Sequence, residues 1–242
     1  MKTLFVTSST IKMYHSSGFK MLSTFLKYNQ ANLLYCTEHF DLPKTFAGRM
    51  NLLTYDLKDS NYLKSWLDKF KNDIPIELGG TAKKFRNRFD KNTQNWNFKA
   101  SLWFRKVAAL KVAYDLYHKE YDQIVWIDID TEINNKLSND FLNSLFKKSE
   151  CFYFLGQIRL KKDVGVESGF IGFRHANDYE LLRDLFETYM NGSFKNVRRW
   201  DDGYVIKHLV LSNKYKQRCR DSCVTKTTRP MDDPIIRNHI LH

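Results

Sequence analysis

The stretch 121-YDQIVWIDIDTEI-133 governs how the rest of the chain is read. Four consecutive apolar residues, Ile124 to Ile127, have the character of a strand buried on both faces, as in a parallel sheet. The run stops on Asp128 and Asp130, with only Ile129 between them. A carboxylate at the end of a buried strand is costly unless something pairs with it. Alternate residues leaving a strand point to the same side, so Asp128 and Asp130 can present oxygens to one ion. Oxygen-only ligation suits Mg²⁺ or Mn²⁺, which commonly complete their shells with phosphate oxygens. A bare Asp-x-Asp recurs by chance, and a pair that merely caps a turn is the competing interpretation. Its position after a hydrophobic strand is what gives it weight.

Upstream, Trp103, Val107, Leu110, Tyr114 and Tyr117 fall at intervals of 4, 3, 4 and 3, which predicts one face of a helix leading into a strand at 122–127. Further strands are predicted at 3–8 (TLFVTS), 31–36 (ANLLYC), 151–156 (CFYFLG) and 169–174 (GFIGFR). Helices are predicted where Gly18, Leu22, Phe25 and Leu26 share a face, over 59–71, near 176–189 and over 202–211. Residues 72–98, with Pro75 and Gly79-Gly80, read as an irregular loop, either mobile or ligand-covering. Strands alternating with helices imply an α/β layered fold, in which ligands gather at the carboxyl ends of the strands.

At 242 residues and 43% hydrophobic content the chain can bury the core of one domain, and its 4 Pro and 10 Gly leave no linker-like tract. The apolar start Leu4-Phe5-Val6 is too short for a signal peptide, and no segment is long enough to span a bilayer, so a soluble, cytoplasmic protein is expected. Cys36, Cys151, Cys219 and Cys223 lack zinc-site spacing and read as free thiols in a reducing compartment. The net charge of +12 calls for an anionic partner, and basic residues cluster at Lys83-Lys84-Phe85-Arg86-Asn87-Arg88 and around Arg198-Arg199. Nucleic acid, an anionic membrane face touched peripherally, and a nucleotide all satisfy that requirement.

The segment YDQIVWIDIDTEI resembles the metal-binding Asp-x-Asp segment of GT-A-fold glycosyltransferases, which use nucleotide-sugar donors. Four more blocks resemble that family in the same order. TLFVTSSTIKMYHSSGFKMLSTFLKY is similar to its first strand and helix, and KASLWFRKVAALKVAYDLY to the helix before the metal strand. ESGFIGFR is similar to the strand lining the donor sugar, and RRWDDGYVIKHL to the acidic turn facing the reaction centre. The C-terminal DDPIIRNHILH supplies a late histidine. The resemblance, coarsest towards glycogenin-like and small viral or bacterial enzymes, implies a single α/β GT-A-like domain with a Rossmann-like, mostly parallel sheet. Residues 1–133 would form the nucleotide-binding half and 134–242 the acceptor side.

It further implies a metal, Mn²⁺ or Mg²⁺, on Asp128, Asp130 and His239, with His242 as the alternative to His239. The nucleotide-sugar, a UDP-sugar by the same resemblance, would touch Thr7, Ser8, Ser9, Tyr14, Lys99, Arg105, Lys106, Ile129 and Gly169. Asp202, with Asp201 as fallback, would be the base if transfer inverts, and the acceptor would be a glycan or glycoconjugate. Each residue also has a plainer interpretation: Thr7, Ser8 and Ser9 as a helix cap, Lys106 on the surface, Gly169 as a bulge, and Asp201 or Asp202 as an N-cap. Two other functions compete. A two-metal nuclease or nucleotidyltransferase would use the carboxylates, and a basic nucleic-acid-binding protein would use residues 83–88 with Phe85 and Phe89. Nucleic acid is the disfavoured partner, because the second of these leaves Asp128 and Asp130 without a task.

Overall fold

Strands and helices alternate along the computed structural model, which describes residues 1–73, 99–223 and 233–241. The first half contributes β1 (Thr3–Thr10), α1 (Phe19–Tyr28), β2 (Asn32–Glu38), β3 (Leu52–Asp56), α2 (Asn61–Phe70), α3 (Ala100–Tyr117) and β4 (Gln123–Ile127). The second contributes β5 (Glu132–Ile133), α4 (Asn139–Phe146), β6 (Cys151–Phe154), α5 (Gly156–Lys161) and β7 (Glu167–Arg174). It closes with α6 (Glu180–Met190), α7 (Asp202–Val210), β8 (Cys219–Asp221), α8 (Pro234–Arg237) and β9 (Ile240–Leu241). The main sheet has the order β3-β2-β1-β4-β7-β6-β8. Strands β3, β2, β1 and β4 run parallel, β7 runs antiparallel to both β4 and β6, and β8 is parallel to β6. The basic stretch 83–88, Phe89 and His242 lie outside the described residues.

Both faces of this sheet are covered, and the period of two along each strand sorts the side chains between them. Leu4, Val6, Ile124, Trp126, Ile171 and Phe173 join one core, roofed by α2, α3, α6 and α7. Phe5, Val125, Ile127 and Phe170 join the other, roofed by α1 and α4 and closed by Ile236 and Ile240. A continuous apolar run such as Ile124 to Ile127 is what such a two-faced position requires.

The helix before β4 is buried more broadly than one stripe. Ala100, Phe104, Val107, Ala108, Ala109, Leu110, Val112 and Ala113 are all buried, whereas Trp103, Tyr114 and Tyr117 are only half-buried. The cause is its position: α3 packs on β1 and β4 from below and on α2 and α6 from the sides. Its alanines allow those close approaches, and Trp66 of α2 stacks on Phe104 at 4.7 Å. Four strands that periodicity did not announce are short or half-buried: β3 at the sheet edge, β8, and the β5–β9 ladder. Thr7, Ser8 and Ser9 are not helix caps, since β1 continues to Thr10, whose side chain accepts from the Met13 N–H. All four cysteines are free thiols.

One close approach fixes α7 against the segment entering β7. The Val166 N–H donates to the Gly203 carbonyl at 2.9 Å. A Cβ built on Gly203 would stand 2.5 Å from the Val166 carbonyl, and one on Gly165 would stand 2.4 Å from the Gly203 carbonyl carbon. Backbone cannot yield as a flexible side chain can. Gly203→Ala is therefore expected to lower stability by about 1–3 kcal/mol or more, the range for overpacked interiors. Urea denaturation reads this directly, and an unchanged midpoint would mean that the two backbones have room to separate.

Candidate active site

The parity of β4 decides where its terminal carboxylate goes. Ile124 and Trp126 face α3, so Asp128 leaves the strand on the same side. There it meets Lys106, which the composition of α3 suggested would face solvent and which is instead buried. Lys106 Nζ lies 2.8 Å from Asp128 Oδ1 and 2.8 Å from Asp202 Oδ2. It also donates to the Ser168 carbonyl at 3.0 Å and reaches Ser168 Oγ at 3.2 Å. Trp126 completes the arrangement: its Nε1–H donates to Asp128 Oδ1 at 2.5 Å, and its ring lies 5.1 Å from the ammonium. A lysine can be buried this completely because its positive head is surrounded by acceptors.

The electrostatics follow from that packing. Burial pulls the Lys106 ammonium down, but Asp128 and Asp202 more than reverse this and hold it above its ordinary pKa. Burial pushes the Asp128 carboxyl up; Lys106 pulls it back, while the Asp202 charge adds to the rise, and the net direction is upward. Lys106 thus belongs to α3, its partners to the end of β4, to β7 and to α7, and one ammonium ties four elements together.

Asp201 and Asp202 divide their tasks. Asp201 is the N-cap of α7, accepting from the Tyr204 N–H at 3.0 Å, and Arg199 Nε donates to its other oxygen at 2.8 Å. Burial raises the Asp201 pKa, with Arg199 opposing. Asp202, the next residue, is 1% exposed and is turned to Lys106. The basic pair is paired as well: Arg198 meets Asp163 at 2.6 Å, and Lys207 meets the same carboxylate at 2.6 Å. With the Tyr204 hydroxyl also donating, the Asp163 carboxyl is held down at about 2, led by the Lys207 hydrogen bond.

Beyond β4 the chain turns. Ile129 is buried against Gly18 and its neighbours, while Asp130 is exposed. Asp130 lines a cavity of about 220 Å³ with Ser16, Ser17, Lys20, Thr131, Glu132 and Leu241. Thr131 Oγ1 beside it is buried without a hydrogen-bond partner. Gly169 faces the aspartate: its N-terminal neighbour Ser168 serves Lys106, and its carbonyl accepts from the Asp128 N–H at 2.8 Å. A Cβ at Gly169 would stand 3.2 Å from Asp128 Oδ2, so the glycine keeps space open beside that oxygen. His239 is placed differently. Its ring stacks on Phe141 at 4.0 Å, its Nδ1 lies 2.9 Å from the Lys136 carbonyl, and burial lowers its pKa. The antiparallel register pairs Glu132 with Leu241 and Ile133 with Ile240, so the ladder moves away from Asp130 as it approaches His239.

Among the described residues no three His, Cys, Asp or Glu side chains converge on one point. The donor chemistry still fits a divalent ion of the Mg²⁺ type, which keeps waters and substrate phosphates and needs only one or two carboxylates from the protein. The open space at Asp128 Oδ2 and the cavity at Asp130 are where those carboxylates would offer their oxygens.

At the carboxyl end of β1, Thr7, Ser8 and Ser9 are buried, and Ser9 Oγ pairs with the Tyr35 hydroxyl at 2.8 Å. Tyr14 begins a π-helical stretch, Tyr14–Gly18, a local widening often found at functional sites. Thr7 Oγ1 and Tyr14 Oη are both buried without a hydrogen-bond partner. Tyr14 packs beside Phe40 at 5.6 Å, and Phe40 lines a second cavity of about 510 Å³ at the ends of β2 and β3. Arg105, expected near phosphate, is held by Glu38 at the end of β2, with Nε 2.8 Å from the carboxylate. Lys99 stands at the start of α3. Ser168, Trp126 and Glu38 were not foreseen. Trp126, two residues before Asp128 and so on the same side of the strand, was the one that the sequence could have flagged.

No family model matches the chain, and no curated protein matches it in sequence. Solved structures do match in shape. Mouse xyloside xylosyltransferase 1, in its apo form, superposes with a TM-score of 0.55 at 12% identity, covering 91% of this chain and 85% of that one. The glycosyltransferase GlyE of Streptococcus pneumoniae TIGR4 superposes with a TM-score of 0.50 at 12% identity, covering 91% of this chain. The fold is one that glycosyltransferases use. It is the expected GT-A-like arrangement, a mostly parallel seven-stranded sheet between helices. This chain spans 45% of the GlyE chain, so the match there is to part of a longer protein.

Proposed function

We propose that the chain is a glycosyltransferase that moves a sugar from a nucleotide-sugar, with UDP as the expected nucleotide, to a carbohydrate or glycoconjugate acceptor. The observation that carries this reading is the convergence of Asp128, Lys106, Gly169 and Asp202 at the carboxyl end of β4, within a fold that two glycosyltransferases share. Asp128 and Asp130 are the carboxylates that would hold Mn²⁺ or Mg²⁺; His239, stacked on Phe141 and turned to the Lys136 carbonyl, is not placed to join them, and His242 lies outside the described residues. When bound, the ion supplies Lewis-acid stabilisation of charge on a leaving diphosphate.

The protein's own contributions are positional. The orphaned Thr7 Oγ1 and Tyr14 Oη support a nucleoside at the end of β1. The cleared space at Gly169 supports a donor sugar beside Asp128. Lys99, and Arg105 through its tie to Glu38, frame the start of α3 from which the basic side of the site is built. The net charge of +12 favours capture of an anionic donor and leaves peripheral contact with an anionic membrane face open. Among the described residues no helix is long and apolar enough to cross a membrane.

Thermal unfolding with UDP or GDP tests the proposal, since a ligand that binds only the folded state raises the melting temperature. The expected result is stabilisation by one of these nucleotides in the presence of Mn²⁺, by roughly 3 kcal/mol at a hundredfold excess over the dissociation constant. Stabilisation by an oligonucleotide instead would move the assignment to the nuclease or nucleic-acid-binding reading. Hydrolysis of a panel of nucleotide-sugars with Mn²⁺ then identifies the donor.

A further inference from the structure

We infer that Lys106 makes metal binding depend on the nucleotide: its ammonium occupies the inner side of Asp128 and keeps the divalent ion out until the diphosphate arrives with it. The inference rests on the glycosyltransferase reading above and assigns Lys106 as a positioning residue for that site. Nζ stands 2.8 Å from Asp128 Oδ1, and the same oxygen also accepts from Trp126. Only Oδ2, on the side kept clear by Gly169, remains for an incoming ion. An ion there would sit close to a buried ammonium. Like charges at that range repel strongly where little water separates them.

The charge balance gives the repulsion its consequence. Asp128 and Asp202 carry two negative charges and Lys106 one positive, so half of the local attraction for a cation is already spent internally. Asp202 is buried against the ammonium and anchors it from the α7 side, and the Ser168 carbonyl and hydroxyl hold it from β7. The ammonium is therefore fixed in place and cannot swing aside as a surface lysine can. A nucleoside diphosphate brings several negative charges to the open side of Asp128. Those charges offset the ammonium and supply the phosphate oxygens that a Mg²⁺-like ion prefers. The ion and the nucleotide then bind together far better than the ion alone.

The test is a calorimetric titration of MnCl₂ into the full chain, without nucleotide and with saturating UDP or GDP. Wild type is expected to bind Mn²⁺ weakly alone and much more tightly with nucleotide. Lys106→Gln is expected to bind Mn²⁺ alone roughly 10–100-fold more tightly than wild type, because a fixed positive charge has been removed. Lys106→Arg, which keeps the charge, should stay at the wild-type level. A residue with only a packing role would not strengthen metal binding when it is removed. If Lys106→Gln fails to fold, the double variant Lys106→Gln/Asp202→Asn removes the ammonium together with the carboxylate left unpaired by its loss; a gain in the same direction is expected, smaller than in Lys106→Gln because the net local charge stays at the wild-type value. Wild type binding Mn²⁺ equally with and without nucleotide overturns the inference. So does an unchanged Mn²⁺ affinity in the folded variants, and in that case nucleotide-dependent uptake by wild type leaves the glycosyltransferase reading standing. Wild type taking up no Mn²⁺ even with UDP or GDP removes the metal site and this inference with it.

Discussion

Asp130→Asn is expected to remove Mn²⁺-dependent transfer by roughly 10²–10³-fold, the scale seen when one preorganised electrostatic group is lost, while the protein stays folded. Asp130 is exposed on the rim of the 220 Å³ cavity, so its carboxylate is not part of the core. An asparagine there keeps the shape and loses the charge that a divalent ion needs. Asp128 makes a less informative target, because its carboxylate also balances Lys106 and accepts from Trp126. A change at Asp128 alters folding and chemistry together; at Asp130 the two separate. Steady-state transfer across a Mn²⁺ titration, with the melting temperature as control, gives the result. Near wild-type turnover at saturating Mn²⁺ would falsify the assignment of Asp130 to the metal.

The second large effect is on stability. Asp202→Ala is expected to cost about 3–5 kcal/mol, because removing one partner of a buried ion pair leaves an under-compensated charge behind. The charge concerned is the ammonium of Lys106, which is itself buried and, among the described residues, retains only Asp128 as a charged partner. Asp202→Asn should cost less, since the amide keeps the side chain's size and leaves a carbonyl dipole beside the ammonium. The pair of variants also distinguishes two roles for Asp202. If it is the base of an inverting reaction, Asp202→Asn loses transfer far beyond what its modest fall in denaturation midpoint explains, with donor affinity unchanged. If its task is to hold Lys106, transfer and midpoint fall together, and they fall further in Asp202→Ala. The geometry favours the second role, with Oδ2 against the ammonium and the residue 1% exposed. A loss below about 1 kcal/mol in Asp202→Ala, within the range of exposed pairs, would show that the bridge contributes little.

Local pattern carried much of this protein's architecture. The apolar run 124–127 ending in Asp128 specified a two-sided strand with a carboxylate at its end. Strand ends, helix starts and the alternation between them emerged within a few residues of their observed limits for β1, β2, β4, β6, β7, α2, α6 and α7. Period and composition are local properties, and each such element displays one, in short strands such as β4 and β6 as a continuous buried run. The strands that escaped, β3, β5, β8 and β9, are edge or two- to five-residue segments whose pairing depends on a partner elsewhere in the chain.

The candidate site was legible as a set of residues and not as an arrangement. Asp128, Asp130, Gly169, Asp202 and Lys106 could each be named from sequence, but nothing local placed Lys106 between two aspartates. That position follows from α3 lying across the sheet, with its alanines close to β1 and its one buried ammonium aimed at the end of β4. Asp201 and Asp202, adjacent and identical in type, were separated only by the fold: the first accepts the backbone of α7, and the second meets a lysine from another helix. Sequence by itself determined the alternation of elements and the acidic end of β4, because those are written in spacing. The tertiary structure decided which charges neutralise one another, because that depends on distances between segments far apart in the chain.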